Sequence, residues 1–269
     1  MSVFDEAVRG SGTALVAPLI YRLAAQLEQV PVEELLDDPA SAAFVLRSAQ
    51  GLFGLPLLVN HLQLGLEIEA VGGELERDER GLPVAGATAQ VTLSAQVPLL
   101  DAVVDVVARL SSELRRTTPV LGVLTGPATL AGLRNGSTAG LVELYAAMAR
   151  RYADAGAAGV LLIERVGATP VTADSLGELA NICRFYGIRS ILLTPTGPAP
   201  TAPVDRSLGE QDVMAAQLWS EPPSTGAAEP FARHRGLLLS SGEVPADTDP
   251  ETVDAWLDAL GRSPLGAVP

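Results

Sequence analysis

The chain contains no lysine. All 18 basic residues are arginine, against 32 acidic ones, and the net charge is −14. Without lysine there is no Schiff-base chemistry and no lysine-bearing P-loop. A single cysteine, Cys183, excludes an internal disulfide framework and any metal site built from several thiolates. No apolar run is long enough to span a bilayer. The start, Met1-Ser2-Val3-Phe4-Asp5-Glu6, lacks the basic-then-apolar pattern of a secretion signal. These features describe a soluble, cytoplasmic chain. The negative charge disfavours nucleic acid and anionic membranes as partners. A polyanionic substrate would need a local arginine cluster, because charges are screened beyond about 8 Å at physiological salt.

What is present is apolar patterning. The 269 residues are 48% hydrophobic, enough for a full core. Val120 to Thr125 is a short apolar run that ends in Gly126-Pro127-Ala128-Thr129-Leu130. That is how a strand buried on both faces reads when a βα loop follows it. The plan recurs over Ala14 to Ile20, Leu55 to Val59, Gly159 to Glu164, Arg189 to Leu193, Gly236 to Leu239 and, more weakly, Asp212 to Trp219. Helical patterns cover Pro31 to Leu36, Pro39 to Gln50, Pro98 to Arg116, Ala139 to Ala155, Asp174 to Tyr186 and Pro250 to Leu260. Gly73 to Ala95 alternates around Arg80-Gly81-Leu82-Pro83 and predicts a β-ribbon. Strands alternating with helices predict a (β/α)8 TIM-type barrel, with residues 1–269 as a single domain. Seven strands are evident. The eighth is either hidden between Pro198 and Arg235 or missing from the C-terminal half.

Such barrels hold their ligands at the carboxyl ends of the strands, which selects the candidate residues. His61 is a general base or lone metal ligand, or else a loop histidine that bonds locally. Glu67 and Glu69 are substrate-orienting groups or helix-opening charges. Glu164 ends a strand as a catalytic carboxylate, or pairs with Arg165 or Arg189. Arg22 offers a donor fork for a substrate carboxylate, or a surface ion pair. Cys183, on a helix, reads as a packed small hydrophobe, and His234 as part of a solvated charge cluster at the opposite end.

Five pieces in order resemble the uroporphyrinogen decarboxylase superfamily: Ala17-Pro18-Leu19-Ile20, Glu67 to Gly72, Thr125 to Leu130, Ala155 to Gly159, and Leu239 to Thr248. They look closer to its methylcobalamin:thiol methyltransferase branch. The resemblance implies methyl transfer to a small thiol or amine, a corrinoid supplied by a partner protein, and a homodimer. It also implies zinc ligands that this chain lacks. Thr194-Pro195-Thr196 stands where the family has His-x-Cys, and Gly242 runs directly into Glu243 where the family has a cysteine. Thr194, Thr196 and Glu243 thus become pocket-lining candidates, with no zinc. For the decarboxylase reaction, Gln63 takes the place of the family's aspartate and Met148 that of its tyrosine. Three readings follow: a zinc-independent methyltransferase-like enzyme using Glu164, His61 and Gln63, a decarboxylase, or a non-catalytic ligand-binding or partner subunit.

Overall fold

A computed structural model describes residues 2–78, 81–86, 91–114, 117–165, 174–231 and 233–261. After helix α1 (Val3–Val8) comes β1 (Leu15–Leu19), then α2 (Tyr21–Leu27), α3 (Glu34–Asp37) and α4 (Pro39–Phe53). β2 (Leu58–Val59) leads into the one-turn α5 (Leu66–Glu69) and the hairpin β3 (Leu75–Arg77) and β4 (Pro83–Gly86), followed by α6 (Pro98–Leu114). β5 (Val120–Thr125), α7 (Pro127–Leu133), α8 (Leu141–Asp154), β6 (Gly159–Ile163), α9 (Asp174–Tyr186) and β7 (Arg189–Leu193) continue the alternation. The chain closes with β8 (Arg206–Leu208), β9 (Val213–Met214), β10 (Leu237–Glu243) and α10 (Pro250–Ala259).

The expected α/β, TIM-type architecture is present. Among the described residues eight parallel strands form two sheets, β2-β5-β6-β7-β8 and β1-β10-β9, while β3 and β4 pair apart from them. Two apolar layers show that the sheets share one interior. Leu15, Leu57, Leu121, Leu161, Ile191, Leu208, Val213 and Leu237, one from each strand or its approach, belong to a single buried cluster. Their sequence neighbours Val16, Leu58, Val120, Val160, Leu192 and Leu238 face the helices in a second cluster. This is the alternation of a barrel wall with a packed lumen. The ladder is open at two seams, β1/β2 and β8/β9. At the first seam Pro18 has no N–H to donate.

The strand hidden from the sequence is β8, which falls between Pro198 and Arg235 as expected of a concealed eighth strand. It is three residues long and places only Leu208 in the lumen. The run from Asp212 to Trp219 proves mostly turn. β9 keeps two residues of it, and Ala216–Ser220 is a 3₁₀ turn. Helix starts follow local chemistry. Asp38 accepts the Ala40 and Ser41 amides ahead of Pro39, and Asp249 accepts the Glu251 amide ahead of Pro250. Asp174 opens α9 as predicted, but its side chain, like Arg80 of the ribbon turn, lies outside the described residues. Among the described residues no helix is long and apolar enough to cross a membrane.

Candidate functional site

The carboxyl mouth of the barrel has two sides, and the first is built around an unfinished sheet edge. β2 pairs with β5 at two positions only, Leu58↔Val120 and Val59↔Leu121. Beyond that register the backbone of β5 still carries buried donors and acceptors that need partners. Side chains supply them. Asn60 Oδ1 accepts the Val123 amide at 2.8 Å, and His61 Nε2 donates to the Val123 carbonyl at 3.2 Å. Glu67 accepts the Thr125 amide at 2.8 Å and the Thr125 hydroxyl at 2.7 Å. Tyr152 and Tyr145 hydroxyls donate to the Val123 and Thr125 carbonyls.

This arrangement fixes the state of His61. Its Nδ1 accepts the Gln63 amide at 3.3 Å while Nε2 faces a carbonyl, so the ring is neutral and carries its proton on Nε2. Burial draws its pKa down to about 4, only partly offset by the Val123 bond. Glu67 is 1% exposed, and burial raises its pKa against the opposing Thr125 bonds. Both groups complete the sheet.

Glu164 follows β6 and lies under the first turn of α7. Its two oxygens accept the Ala128 amide at 3.0 Å, the Thr129 amide at 2.8 Å and the Thr129 hydroxyl at 2.6 Å. The helix has no capping side chain at Gly126, so a carboxylate from the next strand does that work. A Cβ at Gly126 would overlap the Glu164 carboxyl group, which is why only glycine fits there. Burial raises the pKa of Glu164. It pairs with neither suggested arginine: Arg189 bonds Asp5, and Arg165 donates to the Pro83 and Val84 carbonyls.

The second side lies at β1 and β10. Opposite Pro18 the pairing slips, from Ala17↔Leu239 to Leu19↔Glu243. The Ser240 hydroxyl accepts the Leu19 amide and donates to the Gly242 carbonyl, bridging this bulge. Bulges re-aim side chains, and here the one re-aimed is Glu243. It accepts the Arg22 amide at the start of α2, and its second oxygen lies 3.3 Å from Arg22 Nε. The two side chains remain 38% and 19% exposed for Arg22 and Glu243 respectively. Burial raises the pKa of Glu243 to about 7, against the pull of the Arg22 amide and charge.

The β3–β4 hairpin stands over this opening. Leu82 at its tip packs against the lumen cluster, as does Leu62. The Arg22 guanidinium abuts Gly81, whose φ of +75° and lack of a Cβ both demand glycine. Arg77 donates to the Gly81 carbonyl at 2.7 Å and forms a two-toothed pair with Glu69, which also accepts from Gln63. Sequence reasoning misses Arg77 and gives Arg165 only a pairing role. The signal available is an apolar Leu82 in a turn flanked by arginines. Thr194 donates its amide to the Leu208 carbonyl and is half-buried, whereas Thr196 is exposed. Cys183 is buried on α9, and burial pushes its thiol up to about 12. His234 bonds the Leu237 carbonyl at 2.8 Å, so it is tied to the last strand rather than freely solvated.

The donor set does not fit zinc. Hydroxyls at 194 and 196 and a carboxylate at 243 replace thiolate and imidazole. Among the described residues no three His, Cys, Asp or Glu side chains come together as a metal centre. What this opening does offer, among the described residues, is two partly exposed carboxylate–guanidinium pairs, Glu243 with Arg22 and Glu69 with Arg77, and the Glu243 carboxyl group has its pKa raised.

No protein-family model and no curated protein matches this sequence. Among solved structures the chain is similar to a methyltransferase from Methanosarcina mazei. The TM-score is 0.64 at 15% identity, over 94% of this chain and 96% of that one. It is similar at a lower level to a proposed lyase/mutase from Burkholderia cenocepacia, with a TM-score of 0.38 at 13% identity over 89% and 81%. The first likeness establishes a shared fold.

Proposed function

We propose that the chain is a zinc-independent methyl- or one-carbon-transferase-like enzyme of the uroporphyrinogen decarboxylase superfamily, acting on a small thiol or amine at the β1/β10 side of the mouth. The observation that carries this reading is the Arg22–Glu243 pair, with its carboxyl group poised at about 7. A thiol ionises near 8.5, so at neutral pH most of it is protonated and weakly nucleophilic. A base with a pKa near the working pH removes that proton most effectively. Glu243 takes the acceptor proton as the new bond to carbon forms, and the arginine beside it holds the carboxylate in place. A general base thus takes over the activation of the acceptor that zinc would otherwise provide. A methylated corrinoid, carried by a partner protein, would supply the electrophilic methyl group and keep the electron pair of the cobalt–carbon bond that breaks.

The hairpin must lift for this to happen, since Gly81 lies against the Arg22 guanidinium and Leu82 packs on the lumen cluster. That closure favours a second reading, a non-catalytic ligand-binding or partner subunit. Decarboxylation draws less support. Gln63 is engaged by Glu69, and Met148, at the tyrosine position, is wholly buried in the helix-facing core. Methyl transfer from methylcobalamin to small thiols and amines, followed by corrinoid absorbance, tests the assignment. Turnover that rises with pH through about 7 and disappears in Glu243→Gln is the expected result. Absence of turnover in both the native chain and a hairpin-loosened Leu82→Ser variant would transfer the assignment to the non-catalytic reading.

A further inference from the structure

A second polar centre lies among residues the mouth does not use. α7 ends at Leu133, and the chain reverses through Asn135 (φ 53°) and Gly136 (φ 85°), reaching α8 by way of Gly140 (φ 77°). The reversal wraps around the side chain of Arg134, which is only 4% exposed. Its terminal nitrogens donate to three carbonyls: Ala139 at 2.8 Å, Val91 at 3.2 Å and Ser137 at 3.3 Å. Nε, also buried, has no partner among the described residues. No carboxylate lies within ion-pair reach of this guanidinium among the described residues, and Ala87 to Gln90, leading into Val91, contains no acidic residue. Carbonyl dipoles satisfy hydrogen bonds but leave the full positive charge without a counter-ion.

The same arginine lines a cavity of about 260 Å³ between the 91–93 segment and the 137–140 turn. Gly140, on its wall, is the N-cap of the fourteen-residue α8 and offers no capping side chain. The Leu141 amide donates to the Thr138 carbonyl at 3.2 Å, so the Val142 and Glu143 amides are the ones left without an intrahelical partner, and the helix dipole adds a partial positive charge. Burial draws the pKa of Arg134 down, as expected of a cation without a counter-ion. Glu143, in the first turn of α8, is exposed and supplies no partner to Arg134.

The geometry points to an oxyanion-binding site here, taking a phosphate or carboxylate group between the Arg134 guanidinium and the first turn of α8. The cavity has room for such a group with several waters, each occupying about 30 Å³. The assignment is independent of any chemistry at the mouth.

Thermal denaturation of the full chain tests it, with inorganic phosphate or acetate titrated against sodium chloride at matched ionic strength. The expected result is a saturable rise in Tm of about 2–4 °C with at least one of the two anions. Which one works tells a phosphoryl from a carboxylate ligand. Ser137→Glu places a carboxylate in the cavity. It should raise Tm in anion-free buffer and abolish the anion response, while Arg134→Gln should lose the response without the compensating gain. Amide NMR shifts at Val142 and Glu143 should follow the same titration. A response no greater than that of chloride, or one equal in the native chain and Ser137→Glu, would overturn the site.

Discussion

The two sides of the barrel mouth use the same residue types to opposite ends. Around β5, Asn60, His61 and Glu67 continue a sheet edge that β2 abandons after two residues, and Glu164 caps a helix. Every one of these is 6% exposed or less, with its polar atoms engaged by backbone groups and by the Thr125, Thr129 and Tyr152 hydroxyls. At β1 and β10 a proline and a bulge disturb the ladder, and a carboxylate is left beside a guanidinium with water in reach. Position at the carboxyl end of a strand therefore does not by itself mark a chemical group. Access to water is what distinguishes the two sides: Glu243 also accepts a backbone amide, that of Arg22 at the start of α2, but its side chain stays 19% exposed beside the guanidinium.

The sharpest way to break this contrast is to exchange the outcomes of two substitutions. Glu243→Gln keeps shape and volume and removes the proposed base. Methyl-transfer kcat should fall by about 10²- to 10⁴-fold with KM little changed, and the limb near pH 7 should vanish. Glu164→Ala should behave in reverse. It leaves the Ala128 and Thr129 amides buried without an acceptor, each costing about 1–3 kcal/mol, so urea denaturation should register a loss of about 2–6 kcal/mol. Its folded fraction should keep the native pH profile. A large activity effect at Glu164 with none at Glu243 would reverse the two roles.

Much of this architecture is legible in the residues alone. Val120–Thr125, Gly159–Ile163 and Arg189–Leu193 are near-continuous apolar runs because both their faces are buried, and their limits match the apolar runs closely. β8 is not legible, since Arg206-Ser207-Leu208 gives one residue to the lumen and has no periodicity to detect. Asp212 belongs to a turn, where its carboxylate accepts the Gly209 amide and pairs with Arg206. The roles of His61, Glu67 and Glu164 are out of reach for a different reason. Each depends on where a neighbouring strand stops or a helix begins, to within one residue, and sequence patterns locate such ends less finely than that. The Arg22–Glu243 contact joins residues 221 apart in the chain. Sequence reasoning selects each of them singly, and nothing local could pair them.

The smallest effects sharpen the contrast through pH. Glu243 has its folded pKa raised, from 4.5 to about 7. Between those values the folded chain holds a proton that the unfolded chain has released, so this group's contribution is complete below about 4.5 and is lost as pH rises to about 7. The stability of Glu243→Gln relative to the native chain should therefore improve over that window, by about 1–3 kcal/mol. His61 has its folded pKa depressed, from 6.5 to about 4. There the unfolded chain takes up the proton first, so stability is lost as pH falls from about 6.5 to 4. His61→Gln carries a fixed penalty for the altered Val123 contact, and that penalty should shrink on acidification. The two residues share no hydrogen-bond partner, so their effects should add. Paired denaturation curves at pH 4.5 and 7 thus give differences that move in opposite directions, because burial favours the neutral form of an acid at 243 and of a base at 61, and a difference that did not move with pH would mean that the group concerned is not desolvated in the folded chain.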